Sequence, residues 1–267
     1  VINAYADAAM RCKEGGLDGI ETLASSHLIG QFLSPYTNTR TDEFGGSVEN
    51  RCRFGLMVHD AIRARVGDDF VVGMRYAVDE GFDGLTFDEA VEIAQIFERS
   101  GQIDFFNATY GKMDTYRGLA VDNMPGMAPP IAPWLQAVGA FKKEVSLPVF
   151  HAAKISDIAT ARFAIKEGLL DLVAMTRAHI ADPHIVNKIA RGEEERIRPC
   201  VGATHCMTGF RPRCLHNAAS GQENTLPHVA EPDVNAGKKI VVVGGGPAGL
   251  EAARICGERG HTVVLFE

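Results

Sequence analysis

A chain of 267 residues with 46% hydrophobic and 23% charged residues reads as a soluble globular protein, able to bury a sizeable core in one large or two ordinary domains. Its formal charge of −7 leaves no electrostatic footprint for nucleic acid or an anionic membrane as the main partner, although a local basic cleft for phosphate is compatible with it. No apolar run approaches the roughly 20 residues that a bilayer span needs. The N-terminus shows no basic region followed by an apolar core, so the cytoplasm is the expected compartment.

In chain order, Val1 to Gly15 reads as a helix with Tyr5, Ala9 and Cys12 on one face, ended by Gly15-Gly16 and followed by a strand from Asp18-Gly19. Gln31 to Phe54 reads as a long ordered loop, marked by Pro35, Asn38, Asp42, Gly45 and Gly46 and tied by Arg40, Asp42, Glu49 and Arg51. Ser47 with Asn50 signals a helix start before the amphipathic run Arg53 to Val66. Strand Phe70 to Ala77, helix Thr86 to Ser100 and strand Ile103 to Thr109 follow. Then come helix Ile131 to Glu144, strand Leu147 to His151, helix Asp157 to Glu167 and strand Leu170 to Met175. Five helix–strand units with near-continuous apolar strands predict parallel strands buried on both faces. Polar residues close these strands: His27, Arg75, Asn107 and Thr109, His151, and Thr176-Arg177. That pattern suits a (β/α)₈ barrel, whose sites form at the strand C-termini, with about three strands missing ahead of the first.

The pattern changes after Arg177. His179 to Arg191 predicts a last helix, and the first expected domain runs over 1–192. A cysteine-containing segment and linker fills 193–238, and 239–267 begins a Rossmann-like domain cut after its first βαβ unit. There Gly244, Gly246 and Gly249 form G-x-G-x-x-G between an apolar strand and a helix. The backbone can approach a pyrophosphate at such a turn, and Glu267 is placed to bind ribose hydroxyls. The alternative is a Gly-rich turn with no ligand.

Arg75 is either an ion pair within its strand or a lone cation that stabilises negative charge on a bound cofactor such as a reduced flavin. Arg177 fits a phosphate-binding role, supported by Lys154 after the preceding strand. His27 and His151 are each either a polar strand-end residue or a catalytic one. Of six cysteines, Cys200, Cys206 and Cys214 crowd into 15 residues, which points to cluster or metal chemistry, to zinc with a histidine, or to reduced structural thiols.

The run HLIGQFLSPYTNTRTDEFGGSVENRCRF, MRY at Arg75, AMTRAHIADP from Ala174 to Pro183, the cysteines and the final glycine fingerprint occur in one order. Together they resemble the Old Yellow Enzyme superfamily of NADH:flavin oxidoreductases, in its multidomain branch with trimethylamine dehydrogenase and 2,4-dienoyl-CoA reductase. The resemblance implies an FMN-binding barrel, a 4Fe–4S cluster and a C-terminal region for FAD or ADP, sometimes NAD(P)H. By position it places Arg75 at the flavin, Thr176 and Arg177 at the phosphate, and the family's acidic tyrosine on His27. The family's His-x-x-Asn pair falls on Thr22 and Ser25, and Ala203 stands where a second cluster cysteine is expected. Tyr110 and Asp114 are further pocket candidates. The expected function is dehydrogenation of a small methylated amine, with electrons passing from FMN to an iron–sulfur centre. The alternatives are NAD(P)H-dependent reduction of unsaturated acyl or carbonyl compounds, or a non-catalytic electron-transfer module. Expected partners are a small-molecule substrate, then NAD(P)H or an electron-transfer protein, and a second copy of the chain.

Overall fold

The computed structural model describes all residues, Val1–Glu267, in two compact units, Val1–Thr204 and His205–Glu267. In the first unit, local signals set the helix ends. Helix α1 (Ile2–Glu14) buries Ala6 and Ala9 and packs on α3 (Val48–Val66), which starts where the Ser47 side chain accepts from the Asn50 amide. Helix α4 (Phe87–Ser100) opens on a reciprocal capping box of Thr86 and Glu89 and stops at left-handed Gly101. Helices α5 (Leu135–Lys142) and α6 (Ile158–Lys166) complete the outer layer, the second capped by Asp157.

Strands β1 (Gly19–Leu23), β2 (Val71–Ala77), β3 (Phe105–Thr109), β4 (Val149–His151) and β5 (Leu172–Val173) form one parallel sheet in sequential order. Their alternation separates two faces. Val72, Met74, Tyr76, Phe106 and Val149 are buried with Val58, Ile62, Ile93, Phe97 and Phe141 of the helices. The Tyr76 hydroxyl satisfies itself on the Ala90 carbonyl of α4 at 2.6 Å. The opposite face carries Gly73 beside Phe105, Arg75 beside Asn107, and Phe150 beside Leu172. It is only partly covered: Val71 is 44% and Leu172 48% exposed. Helices cover one side of the sheet, and the partial cover of the other agrees with the partial barrel expected.

Two local expectations are corrected. The stretch read as loop from Gln31 begins inside a short helix, α2 (Leu28–Leu33), which buries Ile29, Gly30 and Leu33. The last helix is two, α7 (Thr176–Ala181) and α8 (Ile185–Ala190). Pro183 disfavours helical geometry at the residue before it, and Asp182 is extended at φ −142°. The loop's expected ties are half right: Arg40 pairs with Asp42, but Arg51 reaches outside the loop to Glu89 of α4. Asn38 staples the loop by donating to the carbonyls of Phe32 and Phe44, each at 2.7 Å.

In the second unit, β6 (Lys239–Val243), α9 (Pro247–Glu258) and β7 (Thr262–Phe266) form a parallel βαβ unit. No helix of either unit is long and apolar enough to cross a membrane.

Candidate active site

Because all five strands are parallel, their C-terminal ends share one edge of the sheet, and the functional candidates collect there. Arg75, half-buried, leaves its Nε buried without a partner. In the neighbouring register position, Asn107 donates from Nδ2 to the Glu21 carboxylate at 2.7 Å. That bond fixes the amide, so Oδ1 is the group left buried and unpaired, as is the Thr109 hydroxyl two residues on. One cationic donor and two neutral polar atoms thus stand unsatisfied on one face. Orphaned buried polar groups are rare unless a ligand or water completes them. The set fits the edge of a polar heterocycle such as a flavin ring.

Lys154 and Arg177 lie past the ends of β4 and β5, both half-buried. Lys154 Nζ donates to the carbonyls of Met127 at 3.0 Å and Pro129 at 2.5 Å, and Arg177 Nη1 to that of Pro125 at 2.9 Å. Each cation keeps further N–H donors. Thr176 is exposed at the first residue of α7.

The proton-handling candidates differ in setting. His27 is exposed at the N-cap of α2, and its Nδ1 meets the Ser25 carbonyl at 2.9 Å. A carbonyl only accepts, so Nδ1 carries the proton and neutral His27 presents Nε2 as a base. His151 is 1% exposed and donates from Nδ1 to the Ala108 carbonyl at 2.8 Å, with Nε2 buried and unpartnered. Burial pushes it down to about 4, against the Ala108 hydrogen bond and with help from the Arg75 charge, so it is neutral near pH 7. Asp114 is exposed. Tyr110 stacks on Trp134, ring centroids 3.9 Å apart and 9° between planes. Burial, then Asp79 and Asp122, raise its hydroxyl above the usual value.

Sequence reasoning missed Trp134, Asp122 and the Glu21–Asn107 pair. The Trp134 indole donates to the Asp122 carbonyl at 2.7 Å, and Gly111, at φ +77°, lets Asp122 approach where a Cβ would sit 2.4 Å from the Asp122 Cβ. Tyr110 was named from the sequence, but for its partner only the lone tryptophan of the composition was a signal.

In the second unit, Gly244 at φ +104° turns the chain after β6, and Gly246 caps α9 ahead of Pro247. Gly249 has no room for a Cβ, which would meet the Gly244 carbonyl at 1.9 Å. The Glu267 carboxylate accepts from the Gly245 amide of this turn. Cys206 and Cys214 are half-buried and outside any disulfide here, as is Cys200 in the first unit. With Ala203 at the expected second position, the residues present do not fit a four-thiolate iron–sulfur cluster.

Cations and unsatisfied polar atoms thus gather at the strand C-termini of a parallel sheet, the end at which barrel sites form. The chain belongs to the NADH:flavin oxidoreductase / NADH oxidase family, whose model matches residues 1–196. It is 56% identical over 267 residues to a multifunctional alkene reductase/demethylase of Caballeronia cordobensis, covering 100% of this chain and 39% of the relative. It is 49% identical over 274 residues to an N,N-dimethylglycine/sarcosine dehydrogenase of Chromohalobacter salexigens, covering 100% and 39%. A solved 2-naphthoyl-CoA reductase superposes with a TM-score of 0.89 at 33% identity, over 99% of this chain and 40% of that one. The chain thus spans about two-fifths of the length of the relatives it matches.

Proposed function

We propose that this chain carries the phosphate-side half of an FMN site in a flavin-dependent oxidoreductase that dehydrogenates a small methylated amine. The carrying observation is the unpartnered Arg75 Nε beside Asn107 and Thr109, on the edge that also holds Lys154 and Arg177. FMN, when bound, supplies the hydride acceptor. Arg75 sets a positive charge where the ring gains negative charge, and Lys154 and Arg177, with Thr176 beside them, take the phosphate. A hydride leaves an N-methyl carbon of the amine, and water then splits the resulting iminium into formaldehyde and the demethylated amine. Tyr110 and Trp134 offer π faces to an ammonium group, with Asp79 and Asp122 adding negative charge nearby. His27 takes the proton that the amine must lose before hydride transfer, and Asp114 is a second candidate, next to Met113, whose amide donates to the Ser26 hydroxyl at 2.8 Å.

The β6–α9–β7 turn supports a dinucleotide such as FAD, or ADP, bound through Gly244, Gly246 and Gly249 with Glu267 moving to the ribose. No step is routed through an iron–sulfur centre, because three cysteines with Ala203 at the expected second position supply one thiolate fewer than a four-thiolate cluster takes. A second reading, reduction of an activated alkene by NAD(P)H, draws on the alkene-reductase and 2-naphthoyl-CoA reductase relatives.

The test is the absorption spectrum of the purified full-length protein. Flavin bands that bleach anaerobically with N,N-dimethylglycine or dimethylamine support dehydrogenation. Bleaching by NADH alone, reversed by an activated alkene, supports the reductase, and a colourless protein overturns both.

A further inference from the structure

Residues 124–134, reading MPGMAPPIAPW, contain four prolines. Proline has no backbone N–H, so this segment offers eleven carbonyls but only seven backbone donors. It is acceptor-rich, and its acceptors are spent on cations. Pro125 accepts from Arg177, and Met127 and Pro129 accept from Lys154. In return the Ala132 amide donates to the Lys154 carbonyl at 3.1 Å. Lys154 and Ala153 both sit in the left-handed region, at φ 62° and 60°. Two consecutive non-glycine residues held there mark a strained turn that its surroundings must over-determine. One end of the segment continues from Asp122, whose carbonyl holds the Trp134 indole, and the other reaches Trp134 itself, stacked on Tyr110.

A phosphomonoester is also all acceptor, and it needs the same donors. We propose that residues 122–134 are a strap that yields Lys154 and Arg177 to a phosphate group and thereby couples phosphate occupancy to the placement of the Tyr110–Trp134 pair. The inference rests on the flavin-phosphate reading above but adds a step to it. In this structure the three carbonyls hold the two cations. A dianionic phosphate makes stronger, charge-assisted bonds to both, releases the carbonyls, and lets the strap shift at its Asp122 end. The cofactor's phosphate, remote from the chemistry, then arranges the aromatic faces of the substrate pocket.

The experiment uses the full-length protein stripped of flavin and labelled with 5-fluorotryptophan, with the Trp134 resonance assigned by W134F. Saturating inorganic phosphate should move that resonance. In Lys154→Met the resonance should sit displaced before phosphate is added, and phosphate affinity measured by calorimetry should fall at least tenfold. Arg177→Met serves as the second variant if Lys154→Met does not fold. Phosphate that binds by calorimetry yet leaves Trp134 unmoved overturns the strap, as does an undisplaced resonance in both variants. The two readings separate cleanly: a protein that purifies with FMN but whose stripped form shows a Trp134 signal indifferent to phosphate sinks only the strap, whereas a protein that never holds FMN sinks the functional reading.

Discussion

Arg51 is 2% exposed, yet it carries a full charge into the core between α2, α3 and α4. It donates to the Leu33 carbonyl at 2.9 Å and pairs with Glu89. Removing it strands a buried carbonyl and the less buried carboxylate, so Arg51→Met should cost roughly 2–3 kcal/mol, at or below the range for a broken buried pair because Glu89 is partly solvated. A shift of the urea midpoint with an unchanged slope would register this. His59 and His151 give a pH signature. Burial pushes each to about 4, with the Gly55 or Ala108 carbonyl opposing and Arg63 or Arg75 reinforcing. Both folded values lie below the unfolded one near 6.5. The unfolded chain therefore binds protons first as pH falls. Stability should be flat above about pH 7 and drop between 6.5 and 4 by roughly 3 kcal/mol per histidine. Equal urea midpoints at pH 7.5 and pH 5 would contradict this. At this scale the positions of Arg75 near the end of β2 and Arg177 just past β5 were legible. The Tyr110–Trp134 pair was not, because the two residues meet across a 24-residue separation that no periodicity encodes.

Helix boundaries carried their own labels. Ser47 announced α3, and the start of α4 expected at Thr86 holds because Thr86 and Glu89 form a capping box there, capping chemistry being local to four residues. Thr86→Ala should cost about 1 kcal/mol, read as a lower Tm with Thr86→Ser recovering most of it. Helix α2 escaped notice since His27 provides no side-chain cap and the element spans only 6 residues. It forms because Ile29 and Leu33 find the core, a tertiary reason. The Asp182-Pro183 break was readable in principle. Its consequence was not: the buried Asp182 carboxylate accepts from Lys188 and from the amides of His184 and Arg198, binding the two short helices to the chain that follows.

For the whole molecule, five apolar runs alternating with helices sufficed to expect parallel strands, since antiparallel neighbours need no intervening helix. The partial barrel was legible too, because only five of the expected strand runs occur in the sequence, whereas which strand ends stay exposed, Val71 and Leu172, was not. The second unit offers a test of its separateness. Gly249→Ala forces a Cβ to within 1.9 Å of the Gly244 carbonyl, so the β6–α9–β7 unit should lose protection from limited proteolysis while the fragment ending near Thr204 survives. Equal protection of both regions would refute the close approach.

Strand β2 deserves a last consequence. Tyr76 points to the helices and anchors on Ala90, while Arg75, its immediate neighbour, lies on the face with Asn107. With a period of two, one inserted or deleted residue would carry the guanidinium into the apolar layer and expel the phenol. Length variation in descendants of this gene is therefore forbidden in β2 and tolerated in the connections at the strand ends. Diversification of what such proteins consume has to be written in insertions and exchanges there, over a strand whose length is frozen.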